Sequence, residues 1–149
     1  MRACANVSNL CTIFSLSASD EYAMGTVIGI GIDLEEIERV SQVFSAPRAL
    51  TRVFTPHEIA YCQLKRHCFQ HLAVRFAAKE ALFKALGTGL SGGLRWTDVE
   101  VRNEPSGKPY VTLYGAAKDF AAQLGVQTVL ISLSHSRQYA IAQVMLLAS

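Results

Sequence analysis

The chain has 149 residues, 50% of them hydrophobic and 17% charged, with a net charge of +2, and its mean hydropathy is +0.23. That length makes one domain with a substantial core, and the near-balanced charge gives no footing for nucleic acid. No apolar run reaches the roughly 18 residues of a membrane span, and so apolar a chain is expected to cover part of its surface with another subunit.

Residues 1–24 stand apart: rich in serine and small residues, with no acid before Asp20. Their apolar stretch, Asn9 to Leu16, is broken by polar residues. We therefore expect a dispensable extension ahead of a domain over 25–149, rather than an export signal. The cysteines Cys4, Cys11, Cys62 and Cys68 form no paired framework of the secreted kind, which points to a reducing, cytoplasmic setting. Cys62, His67, Cys68 and His71 crowd into ten residues. Their spacing matches no common zinc pattern, so packed thiols and surface histidines are the default.

Val27 to Ile32 is β-branched and reads as a buried strand, with Gly29 and Gly31 allowing another backbone to approach closely. Asp33 stands at its end and, taken alone, reads as the N-cap of an amphipathic helix over Leu34 to Phe44 that Pro47 terminates. Leu34, Ile37, Val40, Val43 and Phe44 form its apolar side, and Glu35, Glu36, Glu38, Arg39 and Gln42 the other. Thr55-Pro56-His57-Glu58 is an N-cap, N1-proline, N3-acid start for a helix to about Lys65.

Gln70 to Leu86 reads as a long central helix, closed by Gly87. Val74, Ala78, Ala81, Leu82 and Ala85 share one apolar side; Lys79, Glu80 and Lys84 share the opposite arc, with Arg75 at its edge. Three cations around one carboxylate suit a divalent metal beside a phosphorylated ligand. They equally suit an exposed Glu80–Lys84 pair on a solvated face, and spacing leaves both readings open. A loop follows to Arg95. Thr97–Arg102 and Pro109–Leu113 then form a hairpin about the Glu104–Lys108 turn, Tyr114–Leu124 is a helix closed by Gly125, and two apolar strands flank the Ser134–Arg137 turn. The fold class is α+β, an antiparallel sheet with helices packed to one side.

Gly31-Ile32-Asp33 after a strand, followed by Phe76-Ala77-Ala78-Lys79-Glu80-Ala81-Leu82-Phe83-Lys84 on a helix, resembles the two signatures of the 4'-phosphopantetheinyl transferases, G-x-D and [FW]-x-x-K-E-x-x-x-K. The spacing between them, Gly87-Thr88-Gly89, the Asn103–Pro109 segment and Ser132–His135 resemble the short branch of that family, the holo-acyl-carrier-protein synthases. The resemblance spans about residues 27–147.

It implies transfer of 4'-phosphopantetheine from coenzyme A to a serine of apo acyl carrier protein, in fatty acid biosynthesis, leaving adenosine 3',5'-bisphosphate. It implies Mg2+ held by Asp33 and Glu80, with Lys84 on the pyrophosphate. By the same resemblance Asp33, Glu80 and Lys84 are the catalytic set, and Arg75, Lys79, Gly87, Thr88, Gly89 and His135 contact coenzyme A. Ser136 stands where some members carry an acid, leaving Glu80 or a metal-bound water as proton acceptor. Arg39 fits the carrier-docking helix, roughly 9 Å along a continuous helix from Asp33. Because the longer branch holds two such halves, sites completed between the subunits of a homotrimer are expected. The alternatives are a non-catalytic module that binds carrier protein or nucleotide, and a structural subunit whose charged helix faces a partner.

Overall fold

The structure, a computed structural model, describes residues 25–149; the expectation for the extension falls outside these residues. The chain runs through β1 (Thr26–Glu36), α1 (Ile37–Phe44), α2 (Pro47–Val53), α3 (Pro56–Gln63) and α4 (Cys68–Leu86). After a 3-10 turn at Trp96–Asp98 come β2 (Val99–Asn103), β3 (Pro109–Leu113), α5 (Gly115–Gln123), β4 (Thr128–His135) and β5 (Tyr139–Ala148). The α+β class holds, but the strands divide into two antiparallel sheets: β1-β5-β4, and the β2–β3 hairpin paired only with itself.

α4 is the axis of the molecule. Its residues from Leu72 to Leu86 are buried almost all round, Glu80 and Lys84 being among the few that reach the surface. A helix enclosed on most sides cannot present a broad solvated arc, one of the two readings its charges left open. Its C-terminal half shares one core with β2, β5 and α5; its N-terminal half shares a second with α1, α2 and α3. Phe76 joins the two, its ring 5.3 Å from Phe44 and 5.2 Å from Trp96. Each large side chain so enclosed contributes about 1.5–3 kcal/mol. Gly87 ends the helix at φ 77°, in the left-handed conformation a non-glycine residue rarely adopts.

The contact that positions the functional residues lies between α4 and β1. A Cβ at Gly31 would sit 1.8 Å from the Ala81 carbonyl oxygen, and one at Gly29 would sit 2.4 Å from that of Ala85. The helix therefore rests directly on the strand backbone, where side chains would hold it away.

Two boundaries differ from expectation. β1 does not end before Asp33; it continues to Glu36, paired with β5 as far as Glu36↔Tyr139. Sheet pairing overrides the helical periodicity read from Leu34, which is 61% exposed on the far face of the sheet. Asp33 is thus mid-strand, and the N-cap of α1 is Glu36, which makes no side-chain cap. Pro47 does not simply stop a helix either; it occupies the first turn of α2. The start at Thr55 is as read, a reciprocal capping box with Glu58.

Candidate active site

Because β1 is extended through Asp33, Gly31, Asp33 and Glu35 alternate onto the face that meets α4. Asp33 there receives a hydrogen bond from the Lys84 ammonium at 2.6 Å, and Lys84 also donates to the Ile32 carbonyl at 3.2 Å. The Asp33 side chain is 11% exposed, that of Lys84 52%. The hydrogen bond to Asp33 holds the Lys84 ammonium above its ordinary value. Glu80, one turn before Lys84, is raised first by burial and then by the charge of Asp33, while Lys84 opposes the shift. The three residues named by the motifs converge.

A fourth residue belongs with them. Glu35 is 9% exposed, and burial, then the neighbouring Asp33, pushes its carboxyl up to about 7, with Arg39 pulling the other way. The sequence reading set Glu35 on the polar face of a helix; the alternation Gly31, Asp33, Glu35 was the signal that placed it beside Asp33. Three carboxyl groups therefore crowd one patch, and Asp33 Oδ2 is buried with no hydrogen-bond partner. An oxygen-only donor set under mutual repulsion fits a hard divalent cation. Among the described residues no group of three or more His, Cys, Asp or Glu is disposed to hold a metal alone. Such a cation would accordingly take phosphate or water oxygens as well, as Mg2+ commonly does.

Gly87, Thr88 and Gly89 begin three residues beyond Lys84, just past the end of α4. Gly89 has φ 57°, and Thr88 accepts a 2.7 Å hydrogen bond from the Ser91 hydroxyl at its carbonyl. This loop leaves the same end of α4 that carries Lys84.

Arg75 and His135 lie elsewhere. Nine residues separate Arg75 from Lys84, about 180° around the helix and about 13.5 Å along it. His135 is on β4, with β5 between it and β1. Together they line a second cavity of about 190 Å³, with Tyr61, His71, Asn103 and Gly107. Arg75 is 2% exposed. It donates to Asn103 Oδ1 at 2.7 Å and to the His71 carbonyl at 3.2 Å, lies 4.3 Å from the Tyr61 ring centroid, and leaves Nε without a partner. A larger cavity of about 630 Å³, beside α1, is lined by residues including Glu36, Glu38, Arg66 and Arg137 and by none of the motif acids.

Lys79 belongs to neither half. It is fully buried and ion-paired to buried Glu58 at 2.7 Å. Its ammonium also donates to the carbonyls of Val53, Trp96 and Val99. With every donor engaged, it cannot reach a phosphate, and the expectation that it contacts coenzyme A is corrected: Lys79 ties α4 to α2, the 3-10 turn and β2. Cys62, also fully buried, has its thiol pushed up to about 12, chiefly by burial. Arg39 is exposed on α1. Its separation from Asp33 is no longer that of one continuous helix, since three strand residues intervene.

The family model for the 4'-phosphopantetheinyl transferase superfamily matches residues 29–144. The chain belongs to this superfamily. It is 45% identical over 122 residues to the holo-[acyl-carrier-protein] synthase of Koribacter versatilis, covering 80% of this chain and 98% of that one. Among solved structures it is similar to the Bacillus anthracis holo-(acyl-carrier-protein) synthase in complex with CoA (3',5'-ADP), at 35% identity and TM-score 0.69, covering 83% of this chain and 98% of that one. The Helicobacter pylori synthase in complex with coenzyme A gives 32% identity and TM-score 0.69, covering 78% and 98%. The resemblance read from the motifs is borne out.

Proposed function

We propose that the chain transfers 4'-phosphopantetheine from coenzyme A to a serine of apo acyl carrier protein in fatty acid biosynthesis, with Mg2+, in the cytoplasm. The observation that carries this is the convergence of Asp33, Glu80 and Lys84 across the β1–α4 contact. Displacement at a pyrophosphate phosphorus needs positioning and charge neutralisation more than covalent chemistry. Asp33 and Glu80 would hold the cation, which when bound neutralises phosphate charge. Lys84, half-exposed on a flexible stem, can turn from Asp33 to a pyrophosphate oxygen and stabilise the leaving group. Glu80 supplies a carboxylate oxygen that can accept the serine proton. Thr88 and the glycines after Lys84 offer backbone groups to the ligand near that ammonium, and Arg39 receives the acidic carrier protein.

Arg75 and His135 serve coenzyme A from the side of α4 opposite Lys84. That separation supports a homotrimer whose sites are completed between subunits. The far face of the β1-β5-β4 sheet supports it too: Ile30, Ile32 and Leu34 are 59%, 56% and 61% exposed in one row, with Leu130 and Ile141 beyond them. Exposed apolar rows of this kind are characteristic of subunit contacts.

The test is the mass of apo carrier protein after incubation with the chain and coenzyme A. A gain of one phosphopantetheine with Mg2+, abolished by chelator, is expected. Coenzyme A binding without transfer would favour the non-catalytic binding module.

A further inference from the structure

Both carboxylate oxygens of Asp33 are closed to an arriving ion, for different reasons. Oδ2 is buried and takes no hydrogen bond among the described residues. Oδ1 carries the Lys84 ammonium at 2.6 Å, and the Ile32 carbonyl holds the same ammonium at 3.2 Å. The two partners differ in freedom. Asp33 is fixed mid-strand, paired opposite Ala142 of β5, and its side chain is 11% exposed. Lys84 stands in the last turn of α4 with its side chain 52% exposed, on a flexible four-carbon stem. Its ammonium also faces the carboxyl groups of Glu80 and Glu35, so a single positive charge is set against three acids.

We propose that Lys84 gates the metal position: its ammonium stands in for the divalent cation on Asp33 and yields that oxygen only when the cation displaces it. This rests on the function proposed above, in which Asp33 and Glu80 hold Mg2+ and Lys84 meets the pyrophosphate of coenzyme A. Two cations cannot share Asp33 Oδ1 at bonding distance, because their charges repel. The displaced ammonium stays at the same end of α4, beside the loop from Gly87 to Gly89, where a pyrophosphate oxygen replaces the carboxylate as its partner.

Each ligand thus favours the arrangement that the other needs. The cation takes Asp33 from Lys84, and coenzyme A takes Lys84 from Asp33. Such coupling is reciprocal: coenzyme A tightens Mg2+ binding by the same factor by which Mg2+ tightens coenzyme A binding. Direct contact between ion and phosphate couples them as well. The gate adds a term of its own, since Lys84 opposes the ion only while the pyrophosphate is elsewhere.

Calorimetry of Mg2+ binding to wild type and to Lys84→Met, each with and without saturating coenzyme A, isolates that term. Without coenzyme A the variant is expected to bind Mg2+ about tenfold more tightly, since Asp33 Oδ1 is open to the ion. With coenzyme A the gain should fall to about twofold or less, because the pyrophosphate has already drawn Lys84 away in the wild type. Lys84→Gln serves the same comparison if the methionine variant fails to fold. In wild type carrying isotope-labelled lysine, the Lys84 Cε resonance, assigned by its loss in Lys84→Gln, should move when Mg2+ alone is added. A gain of equal size with and without coenzyme A would mark simple charge repulsion. That result, no gain at all, or a Lys84 resonance unmoved at Mg2+ saturation overturns the gate while leaving the transferase reading intact. A wild-type chain that binds neither Mg2+ nor coenzyme A overturns both.

Discussion

Three carboxyl groups and one ammonium meet at the β1–α4 contact, and their electrostatics make separable predictions. Asp33 and Glu80 repel each other in the absence of a cation, so removing either costs the fold little. Asp33→Ala and Glu80→Ala should each reduce transfer by about a thousandfold or more while melting within a few degrees of wild type. Turnover near wild type from either variant would remove the proposed metal pair. Glu35 has a folded-state value near 7, above its ordinary 4.5. The folded chain therefore holds more protons than the unfolded one between those values, and this carboxyl contributes stability at low pH that is lost as pH rises towards 7. Glu35→Gln, melted in chelator, should gain several degrees over wild type at about pH 8 and converge with it near pH 4.5; a constant offset across that range would contradict the assignment. Lys79 is the opposite case, an ammonium used wholly inside the protein. Lys79→Met strands buried Glu58 and should cost about 3–5 kcal/mol in denaturant unfolding, where a surface phosphate contact would cost almost nothing.

At the level of elements, the site exists because a helix lies on a strand without side chains between them. Gly31→Ala forces a methyl into the Ala81 carbonyl, and neither backbone can yield cheaply. We expect a loss of about 1–3 kcal/mol in stability, with transfer falling further than stability because Asp33 is carried away from Glu80 and Lys84. Equal stability and activity in this variant would mean that the close approach is incidental. Much of this was legible beforehand: the glycines announced a close approach, the capping box at Thr55 and the stop at Gly87 were local chemistry, and the two motifs named the residues that converge. The rest depended on tertiary context. Whether Leu34 and Glu35 continue a strand or open a helix is settled by pairing with β5, about a hundred residues away in sequence. That pairing moved Glu35 into the site and left Asp33 uncapping. The burial of Lys79 was likewise hidden, since its partner Glu58 lies on another helix and helical spacing assigned it to a charged arc.

For the whole molecule, the proposed completion of the site between subunits accounts for both the division of the site across α4 and the uncovered apolar sheet face. Sequence could suggest this from hydropathy, but not which face would be covered, because alternation along β1 becomes visible only once the strand is known to reach Glu36. Ile32→Glu places a charge in the middle of that face and should shift light scattering to the monomer mass while abolishing transfer; an active monomer would contradict completion between subunits. The most direct measurement mixes two impaired chains, Glu80→Gln on one side of α4 and Arg75→Gln on the other, co-expressed and assayed at low coenzyme A for carrier-protein modification. Each variant alone should be deficient and the mixed assembly should recover activity, since some sites join an intact Glu80 half to an intact Arg75 half from its neighbour. Mixed assemblies that form and yet remain as deficient as the two variants alone would contradict completion between subunits.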